Sequence, residues 1–182
     1  GSGNDRLAGN LGANALSGGD GDDTLSGAAG NDTLLGGDGL DTADYGYRLN
    51  GITATLDAGG TVTLAVASGD TDTLSSIENI IGGSGADRLV GDAAANTLSG
   101  GGGDDTLSGR DGNDLLVGGA GLDMADYSYL STGLVATLHS SGTAIVEAGA
   151  GDTDALTGME NIRGGSGDDI LVGDAVANVL QG

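Results

Sequence analysis

The 182-residue chain contains no cysteine, proline, phenylalanine, tryptophan or lysine. Without cysteine there is neither a disulfide framework nor a thiolate metal site, which fits an extracellular bacterial protein that folds without oxidation. Without lysine there is no phosphate-loop lysine and no Schiff-base nucleophile. Five arginines stand against 27 acidic residues, a formal charge of −22, so no basic face exists for phosphates and no nucleic-acid partner is expected. No apolar run reaches membrane-spanning length, and membrane insertion is not expected. The G-x-S-x-G elbow is also missing. The lone histidine, His139, has Asp57 as its counterpart 82 residues earlier and reads as an exposed turn residue. No catalytic residue is expected, and the chain does not read as an enzyme.

What is present is glycine, 40 residues of it, in strict order. From Gly18, steps of nine give GGDGDDTLS, GAAGNDTLL and GGDGLDTAD; reading back gives GNLGANALS and the shortened GSGNDRLA. The shared pattern is G-G-x-G-x-D-x-U-x, with U apolar. A second run begins with GGSGADRLV at Gly82 and a third with GGSGDDILV at Gly164. Gly18 maps to Gly100, Tyr45 to Tyr127 and Gly82 to Gly164, so an 82-residue super-repeat holds 45 residues of nonapeptides and 37 of something else. Repeats of this kind point to a solenoid. Both ends fall inside a nonapeptide, so the expectation is a piece of a longer array joined to the rest of a parent chain.

The nine positions divide into a turn and a strand. Glycines at positions 1, 2 and 4 permit positive φ and close backbone approach, while x-U-x alternates between two faces. Stacked strands would bury a ladder of Leu16, Leu25 and Leu34, then Leu98, Leu107 and Leu116, with successive strands in two different sheets. Turn n then sits beneath turn n+2, and the position-6 carboxylates form columns: Asp5, Asp23, Asp32, Asp41, Asp87, Asp105, Asp114, Asp123 and Asp169. A column of like charges needs a cation between its members. Carboxylates plus glycine carbonyls are hard oxygen ligands, which suit Ca²⁺ as the cofactor.

These residues resemble the RTX (hemolysin-type) calcium-binding repeats over roughly 110 of the 182 residues. The stretch SIENIIGGSGADRLVGDAAANTLSGGGGDDTLSG (76–109) is similar to the start of the β-roll in serralysin-type secreted metalloproteases. The resemblance implies an all-β fold, a right-handed parallel β-roll with calcium in the turns, in proteins often exported by type I secretion. It implies carboxylate ligands at Glu78 and Glu160 ahead of the glycine pairs, with the carbonyls of Ser76 and Gly158 beside them. It also implies position-2 carbonyls as ligands: Gly1, Asn10, Gly19, Ala28, Gly37, Gly83, Asp92, Gly101, Arg110, Gly119 and Gly165. The position-4 carbonyls are Gly3, Gly12, Gly21, Gly30, Gly39, Gly85, Ala94, Gly103, Gly112, Gly121 and Gly167. Asn14, Asn96 and Asn178 replace the aspartate and are expected to bind more weakly through a neutral oxygen. Their repeats carry Asn10, Asp92 and Asp174 at position 2, residues that tolerate positive φ better than most.

The expected organisation is a first nonapeptide block at 1–44, β-rich inserts at 45–81 and 127–163, a second block at 82–126, and a truncated third at 164–182. Ile52, Ala54 and Leu56, then Val62, Leu64 and Val66, alternate as strands do, with the turn 57–60 between them. Continuation of the solenoid by irregular coils is favoured over a hairpin packed on the roll. Asp72 with Leu74 and Asp154 with Leu156 repeat the D-x-U spacing, and each pair could supply a further turn. The tyrosines are expected to cover the ends of the leucine ladders. The function that follows is a calcium-binding module of a larger secreted or cell-surface protein that folds on calcium after export. The alternatives are the carboxyl-terminal module of a secreted enzyme and a module binding extracellular polysaccharide.

Overall fold

The computed structural model describes every residue except 58–60, 67–68, 140–142 and 150. Every regular element among the described residues is a strand, and no helix long and apolar enough to cross a membrane is present among them. The first five strands are β1 (Arg6–Ala8), β2 (Ala15–Asp20), β3 (Thr24–Ser26), β4 (Thr33–Asp38) and β5 (Thr42–Asp44). Then come β6 (Ile52–Thr55), β7 (Thr61–Val66), β8 (Thr71–Ser75) and β9 (Asn79–Ile81). The second block supplies β10 (Arg88–Val90), β11 (Thr97–Gly102), β12 (Thr106–Ser108), β13 (Leu115–Ala120) and β14 (Met124–Asp126). The remainder are β15 (Val135–Thr137), β16 (Thr143–Gly149), β17 (Asp152–Thr157), β18 (Asn161–Arg163), β19 (Ile170–Val172) and β20 (Leu180–Gln181).

Two sheets face each other. One runs β1-β3-β5-β9-β11-β13-β17-β16-β15-β19, the other β2-β4-β8-β7-β6-β10-β12-β14-β18-β20. Consecutive nonapeptide strands thus alternate between sheets, and each pairs in parallel with the strand two repeats away. The architecture is a parallel β-roll of two 82-residue super-repeats. A turn of six residues is too short to reverse into a parallel neighbour in the same sheet, but long enough to cross to the opposite one.

The register puts U on U. In the first sheet Leu7 lies beside Leu25, then Ala43, Ile80, Leu98, Leu116 and Leu156. In the second, Leu16 lies beside Leu34 and Leu74, and Ala54 beside Leu89, Leu107, Ala125, Ile162 and Leu180. The two ladders meet in one core whose central leucines are fully buried. Tyr45 and Tyr127 are buried with them, but they do not cover ladder ends as expected, because the ladders run on past Ala43 and Ala125 to Ile80 and Ile162. Tyr47 and Tyr129 stay half-exposed.

The inserts depart from the expected coils. β6, β7 and β8 form an antiparallel meander lying within the second sheet, with β8 parallel to β4 and β6 parallel to β10. β15, β16 and β17 do the same within the first sheet. Among the described residues neither a coil nor a hairpin laid on the roll is found: the meander extends the sheet in its own plane. Each insert crosses between sheets three times, an odd number, so the second block starts on the opposite sheet from the first. The strands expected from alternation at 52–56, 62–66, 134–138 and 144–146 match β6, β7, β15 and β16. Residues 58–60 of the turn expected between the first two lie outside the described residues, as does the side chain of Val66. His139 is exposed beside β16, as expected.

Candidate metal centre

Stacking at this register brings the position-6 side chains into two columns. The backbone N–H of each position-6 residue donates to the carboxylate one coil further on: Asp5 to Asp23 Oδ1 at 2.7 Å, Asp23 to Asp41 Oδ1 at 2.8 Å, and Asp41 to Glu78 Oε2 at 2.9 Å. The second unit repeats this from Asp87 to Asp105 Oδ1, Asp105 to Asp123 Oδ1 and Asp123 to Glu160 Oε2. The even repeats make the other column, Asn14 to Asp32 to Asp72 and Asn96 to Asp114 to Asp154. Asp169 accepts the Leu134 N–H from the insert. Glu78 and Glu160 therefore occupy the carboxylate place above the fifth turn.

Asp72 and Asp154 belong to the same columns and are fully buried. Their D-x-U spacing was the main sign of this, because of the three glycines that mark the other turns only Gly149 is present ahead of Asp154 and none ahead of Asp72. A further set of contacts was invisible in the pattern. Position 5 is an x in the motif, yet Asn4, Asp22, Asn31, Asp104 and Asn113 each accept a backbone N–H from the next coil.

Two kinds of turn follow one another along each block, distinguished by the backbone at position 2. In the first kind, φ at position 2 is negative and its N–H donates to the position-6 side chain: Asn10 to Asn14 Oδ1, Gly83 to Asp87 Oδ2, Asp92 to Asn96 Oδ1 and Asp174 to Asn178 Oδ1, at 2.7–2.8 Å. Asn10, Asp92 and Asp174 therefore do not need the positive φ expected of them. The asparagines also donate: Asn96 Nδ2 to Glu78 O and Asn178 Nδ2 to Glu160 O. An amide serves there where a carboxylate has no proton to give.

In the second kind, position 2 is at positive φ: Gly19, Ala28, Gly37, Gly101, Arg110 and Gly119. The matching carboxylates are Asp23, Asp32, Asp41, Asp105, Asp114 and Asp123. In all six, Oδ2 is buried and has no hydrogen-bond partner. The flipped peptide has taken its N–H away and left one carboxylate oxygen unanswered. These six turns are the third, fourth and fifth of each block, each resting on the turn two before it. A Cβ added to Gly37 would lie 2.0 Å from Gly19 O, and one added to Gly119 2.2 Å from Gly101 O. Glycine is required there by contact as well as by φ. At position 1 the reason differs from the one expected: Gly18 and Gly109 have no positive φ, but a Cβ on either would meet the carboxylate of its own repeat at 1.9 Å. Ser76 and Gly158 sit at φ 50° and 62°, their carbonyls pressed against Gly36 and Gly118 of the fifth turn.

Burial pushes Asp105 and Asp114 up to about 7, and the carboxylates stacked around them push the same way, against a lowering backbone hydrogen bond. Asp41, Asp87, Asp123 and Glu78 are also raised, burial being the largest cause. A bare carboxylate so placed is costly unless a charge of the other sign answers it. Among the described residues no three acidic or histidine side chains converge on a point. A cation here would take most of its oxygens from the backbone, and the stacked glycine carbonyls are at hand. A hard, flexible cation satisfied by six to eight oxygens at about 2.3–2.6 Å fits this donor set; a softer metal does not.

The RTX calcium-binding nonapeptide repeat matches the sequence at residues 1–34, 8–43, 72–107, 81–116, 90–125 and 154–181. The chain belongs to the RTX calcium-binding repeat family. Its cofactor is calcium, and the family's repeats are calcium-binding rather than catalytic modules. No curated protein matches the chain. Among solved structures, an extracellular lipase, LipA from Serratia marcescens, is similar over 86% of this chain and 36% of its own length, at 19% identity and a TM-score of 0.39. The RTX chain therefore spans little more than a third of that lipase.

Proposed function

We propose that this chain is a calcium-binding β-roll module of a larger secreted or surface protein, and that calcium decides whether it is folded. The observation behind this reading is that each of the six turns with positive φ at position 2 carries a buried carboxylate oxygen without a partner. In each unit, three ions lie between the first and third, second and fourth, and third and fifth turns. Asp23, Asp32, Asp41, Asp105, Asp114 and Asp123 supply the charge, and position-2 and position-4 carbonyls supply the remaining protein oxygens, except Ala28 O, expected as a ligand, which already accepts from Tyr47 Oη and Arg48 Nη2. Glu78 and Glu160 close the fifth turn. Asn14, Asn96 and Asn178 contribute less, since their Oδ1 already holds an N–H.

At free calcium of about 10–100 times Kd each site stabilises the fold by roughly 1.4–2.7 kcal/mol. Several such sites act on a domain whose whole stability is typically about 5–15 kcal/mol. Without the ions, a charge of −22 concentrated in stacked turns drives the chain apart. A chain that stays open where calcium is scarce and closes where it is millimolar is suited to passing an exporter unfolded. RTX repeats are typical of secreted proteins, and the blocks at 1–44, 82–126 and 164–182 are the parts we assign to calcium.

Equilibrium dialysis with a parallel measurement of hydrodynamic radius tests this. About six calcium ions should bind cooperatively as the radius shrinks to that of a compact roll. A compact radius in excess chelator contradicts the switch.

A further inference from the structure

The second and third blocks each start on an insert, and the bonds across that seam differ from those within a block. Inside a block the position-6 N–H passes forward to the next position-6 side chain, and the position-6 carbonyl accepts the N–H just beyond it. Asp87 shows both: its N–H donates to Asp105 Oδ1, and its carbonyl accepts the Thr106 N–H. Glu78 holds this place at the end of the first insert, with Asn79 in register with Thr97, and its peptide is turned round. Its N–H points back to Asp41 O at 3.1 Å, and its carbonyl accepts from Asn96 Nδ2 at 2.9 Å. A carboxylate at residue 96 would set oxygen against oxygen. The Thr97 N–H donates to Asn79 Oδ1 instead, at 2.8 Å. The second insert repeats both bonds, Asn178 Nδ2 to Glu160 O and Val179 N–H to Asn161 Oδ1, each at 2.8 Å.

The buried Asn96 amide has one usable orientation. Its Oδ1 accepts the Asp92 N–H at 2.8 Å, which leaves the Nδ2 end for the carbonyl. Asp87, in the turn before, is answered on both sides as well: Oδ1 by the Ile52 N–H from the insert and Oδ2 by the Gly83 N–H. The first two turns of the second block therefore leave no buried side-chain oxygen without a partner, whereas Asp105, Asp114 and Asp123 in the next three leave one each. In the third block Asp169 Oδ1 is likewise taken, by the Leu134 N–H, and its Oδ2 is not. Asn14 holds the place of Asn96 in the first block, and its Nδ2 meets no acceptor among the described residues.

We propose that Asn96 and Asn178 are positioning residues that join each insert to the block after it without metal. The asparagine stands where the motif has aspartate because a reversed peptide ahead of it needs a donor, and its chief part is to donate rather than to ligate. The first two turns of a block then order with the insert before them, and calcium orders the turns that follow. As calcium falls, the chain comes apart inside a block, after its second turn, and not at the seam between insert and block. Such a boundary, set by which hydrogen bonds are complete, is how locally stable units arise within one fold. The proposal rests on the calcium roll described above, and concerns the turns that the ions hold least.

Hydrogen exchange of the full chain, followed through a calcium titration, tests it. Part-way through the transition, amides of β10 and β11 should be better protected than those of β12–β14; equal protection would overturn the proposal. Asn96→Asp removes the donor and supplies a carboxylate. It should raise the calcium concentration at which β10–β14 order by about two- to fivefold, the loss of one buried hydrogen bond shared among the ions of a block. A ligand role for residue 96 requires the opposite sign, because a carboxylate serves calcium better than an amide does. An unchanged or lowered midpoint would therefore overturn the joint. Asn14→Asp is the control and should not raise the midpoint of β1–β5; an equal rise there would place the effect in the asparagine's own turn, which also overturns the joint. Should Asn96→Asp fail to fold in saturating calcium, Asn79→Ala, which removes only the acceptor of the Thr97 N–H, decides by the same rise or its absence. A parent chain with no calcium response is a different result, and sinks the roll reading together with the joint.

Discussion

The nonapeptide blocks and the inserts bury their backbones by opposite means. A nonapeptide commits one side chain in nine to the core, and its turn is held by a carboxylate column; among the described residues the blocks leave seven carboxylate oxygens unpartnered, Asp169 Oδ2 being the seventh. The meander commits every second residue, Ile52, Ala54 and Leu56 on one side of its turn and Leu64 on the other, and has one such oxygen, Asp72 Oδ2, where it abuts the block. The blocks are built for an ion, and the inserts mostly for one another's side chains. Both continue the same sheets, so the difference in chemistry is not a difference in architecture.

The comparison is broken or sharpened most strongly by removing the metal. At calcium concentrations part-way through the transition, backbone amides of β1–β5 and β10–β14 should be less protected from hydrogen exchange than those of β7, β8, β16 and β17. Uniform retention across the blocks would contradict the assignment. Next in size is Leu64→Ala, which removes a fully buried side chain from the meander and should cost about 2–5 kcal/mol in calcium-saturated unfolding, with the number of bound ions unchanged. Gly119→Ala acts on the other side of the comparison. Its φ of +114° and a contact at 2.2 Å with Gly101 O predict a cost of about 1–3 kcal/mol from backbone strain alone, together with loss of one ion.

The pH dependence follows from the raised carboxylates. Asp105 and Asp114 sit at about 7 in the metal-free fold, through burial first, against an unfolded value of 3.8. A group raised by folding favours the fold below its unfolded value, and that contribution fades as pH rises through the folded one. The chelated chain should therefore gain β structure as pH falls from about 7 to about 4, measured by circular dichroism, while calcium affinity weakens over the same range. The smallest effect belongs to Gly3→Ala, where no atom lies within 4 Å of the new Cβ and φ is not positive; the change in stability should stay within about 0.5 kcal/mol.

The period of nine made the roll, the alternation of sheets and the carboxylate columns legible, because a repeated residue in a repeated coil must meet its own copy. The reason for each glycine was less legible. Gly18 reads like Gly19 in the pattern, yet one clears a carboxylate and the other turns a peptide. The meander could not be read from alternation, since β6 and β7 alternate equally well in a coil; pairing direction depends on which edge is open, not on the strand's own residues. Asp72 entered its column without the glycines that announce the others.

The most direct measurement is far-UV circular dichroism through a calcium titration, with magnesium as the control. A cooperative transition from coil to β with calcium, and none with magnesium at the same concentration, is the predicted result. A β spectrum already present in chelator and unchanged by calcium would contradict it, and would mean that the leucine ladders and meanders hold the roll without the ions.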